Sequence, residues 1–362
     1  MRSLLNSFNA LGRGLGGLLV LVSAVVFVDT VFFTAITPLL PHYVHALRLS
    51  KSEAGVLVAA YPIGTLLGAM PGGLFASRVG VRAAVVTGLA LMSMATLVFG
   101  FTHSAALLDL ARFVQGVGGA CTWAGSLAWL ASAAPVDRRA GALGVAFGAA
   151  VGGALLGPVV GALASRAGTG PTFAGATVAG GCLMIASLLV HVPSGDESQS
   201  LRSALFALRD RSLRGGMWLT FLAGAAFGVV DVLAPLRLAS LGATAIVIGA
   251  AFLGAAGIET ALAPVIGRVA DRHGRALPVR VCVSVSVVVS LLLPFVVPAG
   301  LLMAVLIVGL PAFGILFVPA AAMISDGAKR RNLHQGLGFG LSNLAWAGGQ
   351  AIAAAGSGAL AQ

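Results

Sequence analysis

Charge is what this sequence lacks most. Asp, Glu, Lys and Arg make up 9% of its 362 residues, against about 25% in soluble domains, so a water-facing globular surface is excluded. Acid is the scarcer sign, with 11 Asp and Glu against 22 Lys and Arg. The three cysteines, Cys121, Cys182 and Cys282, all fall inside apolar stretches. Their spacing offers neither a disulfide framework nor a metal site. No histidine pair has metal spacing either, and His42 and His45 read as solvated loop residues. No G-x-x-x-x-G-K loop is present to cradle phosphates, so ATP is not the expected energy source, and no cofactor is implied. A clustered nucleophile, base or metal set, which an enzyme would need, is also missing.

What the chain has instead is apolar length. Hydrophobic residues make up 58% of it, and its mean hydropathy is +1.01. At about 20 apolar residues per crossing, hydropathy predicts an all-α integral membrane protein of eleven spans. They fall near 15–40, 52–76, 82–101, 105–131, 140–165, 171–192, 214–238, 244–269, 277–297, 299–325 and 335–361. The first apolar run exceeds the 7–15 residues of a signal-peptide core and has no small-residue cleavage site after it, so it is read as a retained span.

The formal charge of +11 invites a nucleic-acid reading, but the placement of the charges gives another. Arg2, Arg13, Arg78, Arg82, Arg138, Arg139, Arg202, Arg209, Arg211, Arg214, Arg268, Arg272, Arg275, Arg280, Lys329, Arg330 and Arg331 precede span one or fall at the even-numbered gaps. Arg48, Lys51, Arg166 and Arg237 lie at the odd-numbered ones, and Arg112 lies within a span. That asymmetry is the positive-inside pattern. It predicts a multi-pass protein of the cell membrane with a cytoplasmic N-terminus, whose basic residues meet lipid headgroups and not nucleic acid.

The longest polar stretch divides the chain into an N-terminal half (1–192, six spans), a cytoplasmic linker (193–213) and a C-terminal half (214–362, five spans). Within the linker, residues 204–208 read equally as a short amphipathic surface helix or as solvated chain. The halves repeat. Gly73, Ser77, Arg78, Gly80 and Arg82 follow span two, and Gly267, Asp271, Arg272, Gly274 and Arg275 follow span eight, 194 residues later. A parallel repeat of this size is a secondary-transporter plan.

Those residues resemble the major facilitator superfamily. The second loop matches its G-x-x-x-D-R-x-G-R signature, whereas the first carries Ser77 at the acidic position and Val81 where a basic residue is usual. Arg112 to Gly116 is similar to the family's R-x-x-Q-G motif. Gly153, Gly157, Pro158 and Gly161 are similar to its G-x-x-x-G-P-x-x-G antiporter motif. Span one, with Asp29 ahead of Pro38 and Pro41, resembles the drug:proton antiporter branch, which includes the vesicular amine transporters. The resemblance implies two six-helix halves rocking about a midplane cavity. It implies twelve spans, so a final helix is expected to be missing here. It also implies that the loop acids latch the outward-facing state and that span five seals the two halves.

Six intramembrane polar residues are candidates for binding substrate or proton. Asp29 lies about halfway along span one, where a proton and an organic cation can compete for one carboxylate; alternatively Thr30, Thr34 and Thr37 satisfy it as a structural group. Arg112, one turn after Asp109, must be paired or hydrated. It either tunes proton coupling, as the resemblance implies, or pairs locally with Asp109. Gln115 shares its face. Asp231 in span seven is the repeat counterpart of the span-one acid. Glu259 in span eight is open between an interdomain hydrogen bond and a proton relay. Asn343 in span eleven cannot titrate and is read as shaping the cavity or a helix contact. The expected function is export of hydrophobic or cationic small molecules in exchange for protons, by a monomer, with the proton gradient as energy source. Uptake of a sugar or metabolite, or a transport-dead scaffold or sensor, is the alternative.

Overall fold

The computed structural model describes residues 2–135, 139–190, 201–273, 276–296, 298–333 and 335–361. Helix α1 (Arg2–Thr34) passes through a 3-10 turn, Thr37–Leu39, into α2 (Leu40–Leu47). Then follow α3 (Lys51–Val79), α4 (Val81–Phe101), α5 (Ala105–Ala133), α6 (Arg139–Ala167) and α7 (Thr169–Leu189). A short α8 (Leu201–Ala207) precedes α9 (Arg211–Ser240), α10 (Ala245–His273) and α11 (Ala276–Leu292). Helices α12 (Ala299–Ile315), α13 (Phe317–Arg330) and α14 (Gln335–Leu360) complete the chain, and no strand occurs among the described residues.

Every expected span is met by helix, with two changes of outline. Span one continues through its 3-10 turn because Pro38 and Pro41 have no N–H to carry the α-helical ladder onward. Span ten is two helices, interrupted at Leu316. By length and composition eight segments qualify as membrane spans among the described residues. Helix α11 is short of the threshold at 17 residues. Helices α5 and α14 fall outside it as well, because polar side chains such as Arg112, Gln115, Asn343 and Gln350 dilute their hydropathy.

Local sequence sets the turns. Ser50 and Glu53 form a reciprocal capping box that starts α3. Gly80, at φ 117°, is the single residue between α3 and α4, a backbone conformation that a Cβ disfavours. Arg82 then donates from Nε to the Ser187 carbonyl at 3.0 Å, tying α4 to the end of α7. Residues 204 and 207 of α8 are buried against Leu213, Ala328 and Leu333. Leu205 and Phe206 face outward, with Arg209 and Arg331 over the Phe206 ring. The amphipathic reading of the linker thus holds for residues 201–207, while 191–200 lie outside the described residues.

Helices α1, α3, α4, α5, α6 and α7 pack on one another, as do α9, α10, α12, α13 and α14; α3 meets α14 and α6 meets α10 between these groups. These cross-contacts are dense at the arginine-poor end. There the Lys51 Nζ donates to the Ala361 carbonyl at 2.8 Å, Gly55 abuts Ala354 and Gly358, and Gly249 abuts Pro158 and Ala162. One buried cluster there draws Leu57 from α3, Val232 from α9 and Ala354 from α14. Around the outside, large apolar side chains such as Val20, Met94, Val178, Leu189 and Val308 are exposed, the arrangement expected where lipid is the solvent.

Candidate functional site

The site is built on the broken end of α1. A helix leaves its last carbonyls without intrahelical donors, and at residues 32 and 33 the missing donors come from α5. Arg112 donates from Nη1 to the Phe32 carbonyl and from Nη2 to the Phe33 carbonyl, both at 3.1 Å. A cation at a helix C-terminus also complements the macrodipole. The same guanidinium donates to Gln115 Oε1 at 3.1 Å and lies 4.9 Å from the Tyr61 ring centroid, a cation–π distance. Gln115 in turn donates to Thr96 Oγ1 at 2.9 Å. Arg112 is 1% exposed, and its Nε is buried without a partner. The local pairing with Asp109 is therefore overturned: Asp109 belongs to a separate cavity of about 260 Å³ that Glu53 also lines.

Asp29 is 2% exposed and holds two neutral donors. Tyr61 donates its hydroxyl to Oδ1 at 2.9 Å, and Trp123 donates its indole N–H to Oδ2. Two of the three threonines offered as its alternative partners do other work, since Thr30 and Thr34 donate to the carbonyls of Val26 and Thr30 one turn back. That i→i−4 bond is the usual choice of a mid-helix hydroxyl. The contact between Asp29 and Tyr61 needs α3 and α5 to approach closely. Gly116 and Gly119 allow it: a Cβ at 116 would strike the Tyr61 carbonyl, and one at 119 the Tyr61 hydroxyl and Asp29 Oδ1.

Across the bundle, Asp231 on α9 accepts from Gln350 Nε2 of α14 at 3.1 Å. Asp29 and Asp231 both act electrostatically on Arg112, so the structure brings three of the expected residues into one charge network. Phe33 packs at a tilt on Tyr61, with ring centroids 4.9 Å apart, and meets Trp346 of α14 edge-on at 5.2 Å, which adds an aromatic wall between the two helix groups. Glu259 stays apart from this network, with no hydrogen bond among the described residues. Asn343 is half-buried on α14, on the same stripe as Trp346 and Gln350 by its spacing of three and seven.

Tyr61 and Gln350 were missed in the sequence, and for Trp123 the sequence left a place in the cavity and one at an interface equally open. Spacing held a signal for two of them: Trp123 recurs on the face of Arg112, Gln115 and Gly119, and Gln350 on that of Asn343. Both faces become informative only once they are known to be interior.

Within the antiporter-like motif the glycines pack α6 onto α1, while Pro158 reaches α10 of the other group. A Cβ at Gly153 would meet Phe27 and Thr30, at Gly157 Thr34 and Val31, and at Gly161 Ala35 and Pro38. The contact from α6 to α10 runs through Pro158 and Ala162 to Gly249. Of the loop signature, Arg78 is exposed and Gly73 has open space around its Cα. Gly267, Asp271 and Arg272 lie in the last turns of α10, but their side chains, like that of Ser77, are outside the description. Gly274, Arg275 and Arg138 lie outside the described residues. No group of three or more His, Cys, Asp or Glu is placed to hold a metal among the described residues. The cysteines are free, with Cys121 and Cys282 buried and Cys182 exposed.

Comparison with known proteins bears on this geometry. A family model described as Major Facilitator Superfamily matches residues 22–354. The quinolone resistance protein NorA of Staphylococcus aureus (strain MRSA252) is 26% identical over 196 residues, 54% of this chain and 50% of that protein. Multidrug resistance protein 2 of Bacillus subtilis (strain 168) is 28% identical over 136 residues, covering 38% and 34%. The chain thus spans about half the length, or less, of the curated relatives it matches. Among solved structures, a bacterial homolog of the human lysosomal transporter Spinster, inward-facing and unoccupied, superposes with a TM-score of 0.71 at 13% identity, over 94% of this chain and 81% of that one. A D-xylose-proton symporter gives 0.69 at 18% identity, over 94% and 89%.

Proposed function

Because the chain belongs to the Major Facilitator Superfamily, we propose that it is a secondary transporter exporting hydrophobic or cationic small molecules in exchange for protons. The observation that carries this reading is the setting of Asp29: a carboxylate buried in a membrane helix, held by two neutral donors rather than by an ion pair. Such a group can be released to a proton or to an organic cation without first breaking a salt bridge. Arg112 supplies a fixed positive charge that disfavours simultaneous occupancy by both. Asp231 provides the matching acid in the other helix group.

Two halves, 1–192 and 214–362, rock about this network, with the N-terminus and the arginine-rich end in the cytoplasm. The dense contacts at the arginine-poor end support reading this conformation as closed to the outside. The similarity to quinolone and multidrug resistance proteins supports a drug-like substrate. Uptake of a sugar or metabolite is the reading it competes with.

The test is reconstitution in sealed vesicles under an imposed pH gradient. Lipophilic cations are expected to move against the proton flow, and Asp29→Asn is expected to insert and fold normally yet lose this gradient-driven flux. Wild-type rates in Asp29→Asn would remove the carboxylate from the mechanism. Proton-driven uptake of a neutral sugar would replace export with the competing reading.

A further inference from the structure

Helix α9 carries a face that the network above does not use. Arg211, Trp218, Leu222, Val229 and Leu236 recur at helical spacing on one stripe. Trp218 is 60% exposed, and Leu222 and Val229 are exposed to a lesser degree. Further along the stripe, Leu236 joins Val232 and Leu233 in the buried cluster that draws Leu40 and Tyr43 from α2 and Leu57 from α3. One face is thus open toward the arginine-rich end and covered by the other helix group at the opposite end. It is the wall of a cleft between the groups and not a surface turned to lipid.

At the open end of this wall lies a cavity of about 770 Å³. Arg211 and Arg214 of α9 line it together with Met323 and Arg330 of α13. Residues three apart on a helix are surface neighbours, so the two α9 guanidiniums share the cavity. Gly215 lets the two helices approach there, since a Cβ on it would strike the Met323 methyl. One turn deeper than Arg214, Trp218 stacks on Phe221, with ring centroids 5.3 Å apart and planes 5° from parallel. The exposure of Trp218 leaves an aromatic surface open to the cleft.

The arginines of this cavity are not equivalent. Arg330 gives two nitrogens to Asp210, and Asp326 also acts on its charge. Ser212 is engaged as well, donating its hydroxyl to the Met323 carbonyl at 3.0 Å. Arg211 and Arg214 are exposed and have no hydrogen-bond or ion-pair partner among the described residues. Two unpaired guanidiniums on one wall offer forked donors that match a planar carboxylate. The aromatic surface one turn away suits a flat ring attached to that carboxylate. Along α9, Arg214 lies roughly 25 Å from Asp231 at the helical rise per residue, so one small molecule does not span both.

We propose that the arginine-rich mouth of the cleft is a binding site for aromatic carboxylates, with Arg211 and Arg214 on the carboxylate and Trp218 against the ring. This adds an anion-bearing class to the hydrophobic and cationic molecules of the export reading. It does not depend on that reading, since a chain that binds without transporting gives the same result.

The probe is 2-naphthoate, and its counterpart of opposite charge is 2-naphthylmethylammonium. The full chain is held in phosphatidylcholine nanodiscs, and bound probe is measured by equilibrium dialysis. Binding of 2-naphthoate is expected to saturate, and Arg211→Gln and Arg214→Gln are each expected to weaken it about tenfold, the scale of one lost charge-assisted hydrogen bond. Trp218→Leu is expected to weaken it by a smaller factor. Arg166→Gln, which removes an exposed charge at the arginine-poor end, is expected to leave it unchanged. These positions are exposed, so the variants are expected to fold. Equal affinity of the unaltered chain and both α9 arginine variants overturns the proposal, as does equal binding of 2-naphthylmethylammonium. A final arm replaces part of the phosphatidylcholine by phosphatidylglycerol at fixed ionic strength. A retained difference between the unaltered chain and Arg211→Gln supports a soluble ligand. Loss of that difference assigns the arginines to lipid headgroups and overturns the proposal.

Discussion

Arg112 does more than place a charge in the membrane: it finishes another helix. Removing it orphans the Phe32 and Phe33 carbonyls in a buried setting, at about 1–3 kcal/mol for each group left unsatisfied. Arg112→Ala is therefore expected to lower the melting temperature clearly in detergent and to uncouple exchange more than it weakens substrate binding. Arg112→Lys keeps the charge but not the planar fork, and should recover only part of either loss. Equal thermal stability of Arg112→Ala and the unaltered protein would show that water caps α1 instead. At this scale the sequence is informative where charge is rare, so Asp29, Arg112 and Asp231 stand out from apolar surroundings. Their partners do not. Tyr61, Trp123 and Gln350 are ordinary residues on other helices, and only packing selects them. Asp109 shows the reverse error, since proximity along a helix suggested a pair that α1's carbonyls outcompete.

Among elements, α6 approaches α1 as closely as α5 approaches α3. Gly157 faces Thr34 and the Val31 carbonyl so tightly that a Cβ has no room, whereas Gly148, earlier in the same helix, has nothing within 4 Å. Gly157→Ala is expected to cost roughly 1–3 kcal/mol by overpacking, read as lower thermal stability, and Gly148→Ala to be neutral or slightly stabilising. If both variants melt alike, the spacing of α6 from α1 is set elsewhere. The helices themselves were legible because apolar runs of span length have few other outcomes. The interruptions at residues 35–39 and 316 were not, although Pro38, Pro41 and Pro319 signal them. A proline identifies which hydrogen bond is lost, but the tertiary environment decides whether the helix kinks or breaks.

For the whole molecule, the arginine-rich end has a fastening that the loop signature did not suggest. Asp210 caps α9 by accepting from the N–H groups of Ser212 and Leu213, and it receives Arg330 through two nitrogens at 3.0 and 2.9 Å. The Arg330 hydrogen bond holds this carboxyl well below the usual carboxylate range. A depressed folded value means that its contribution is complete above the unfolded value of about 3.9 and is lost as pH falls through the folded one. Replacing Asp210 by Asn should thus lower stability by the same amount anywhere near neutrality, with the difference closing only in strong acid. A difference that varies between mildly acidic and mildly alkaline buffer would assign the pH response to other groups. The repeat of loop motifs indicated the two-group arrangement, but the acid doing this work lies in the linker, outside the repeat, where no periodicity points to it.

The satisfaction of α1 by later helices has a consequence for biogenesis. Asp29 and the frayed carbonyls of α1 enter the membrane ahead of their partners, since Tyr61 comes from α3, and Arg112 and Trp123 come from α5. Until the ribosome has delivered α5, α1 carries a carboxylate and two carbonyls that lipid cannot solvate. A helix synthesised before its partners is thus completed only by them, and it has reason to linger beside the insertion machinery until they arrive.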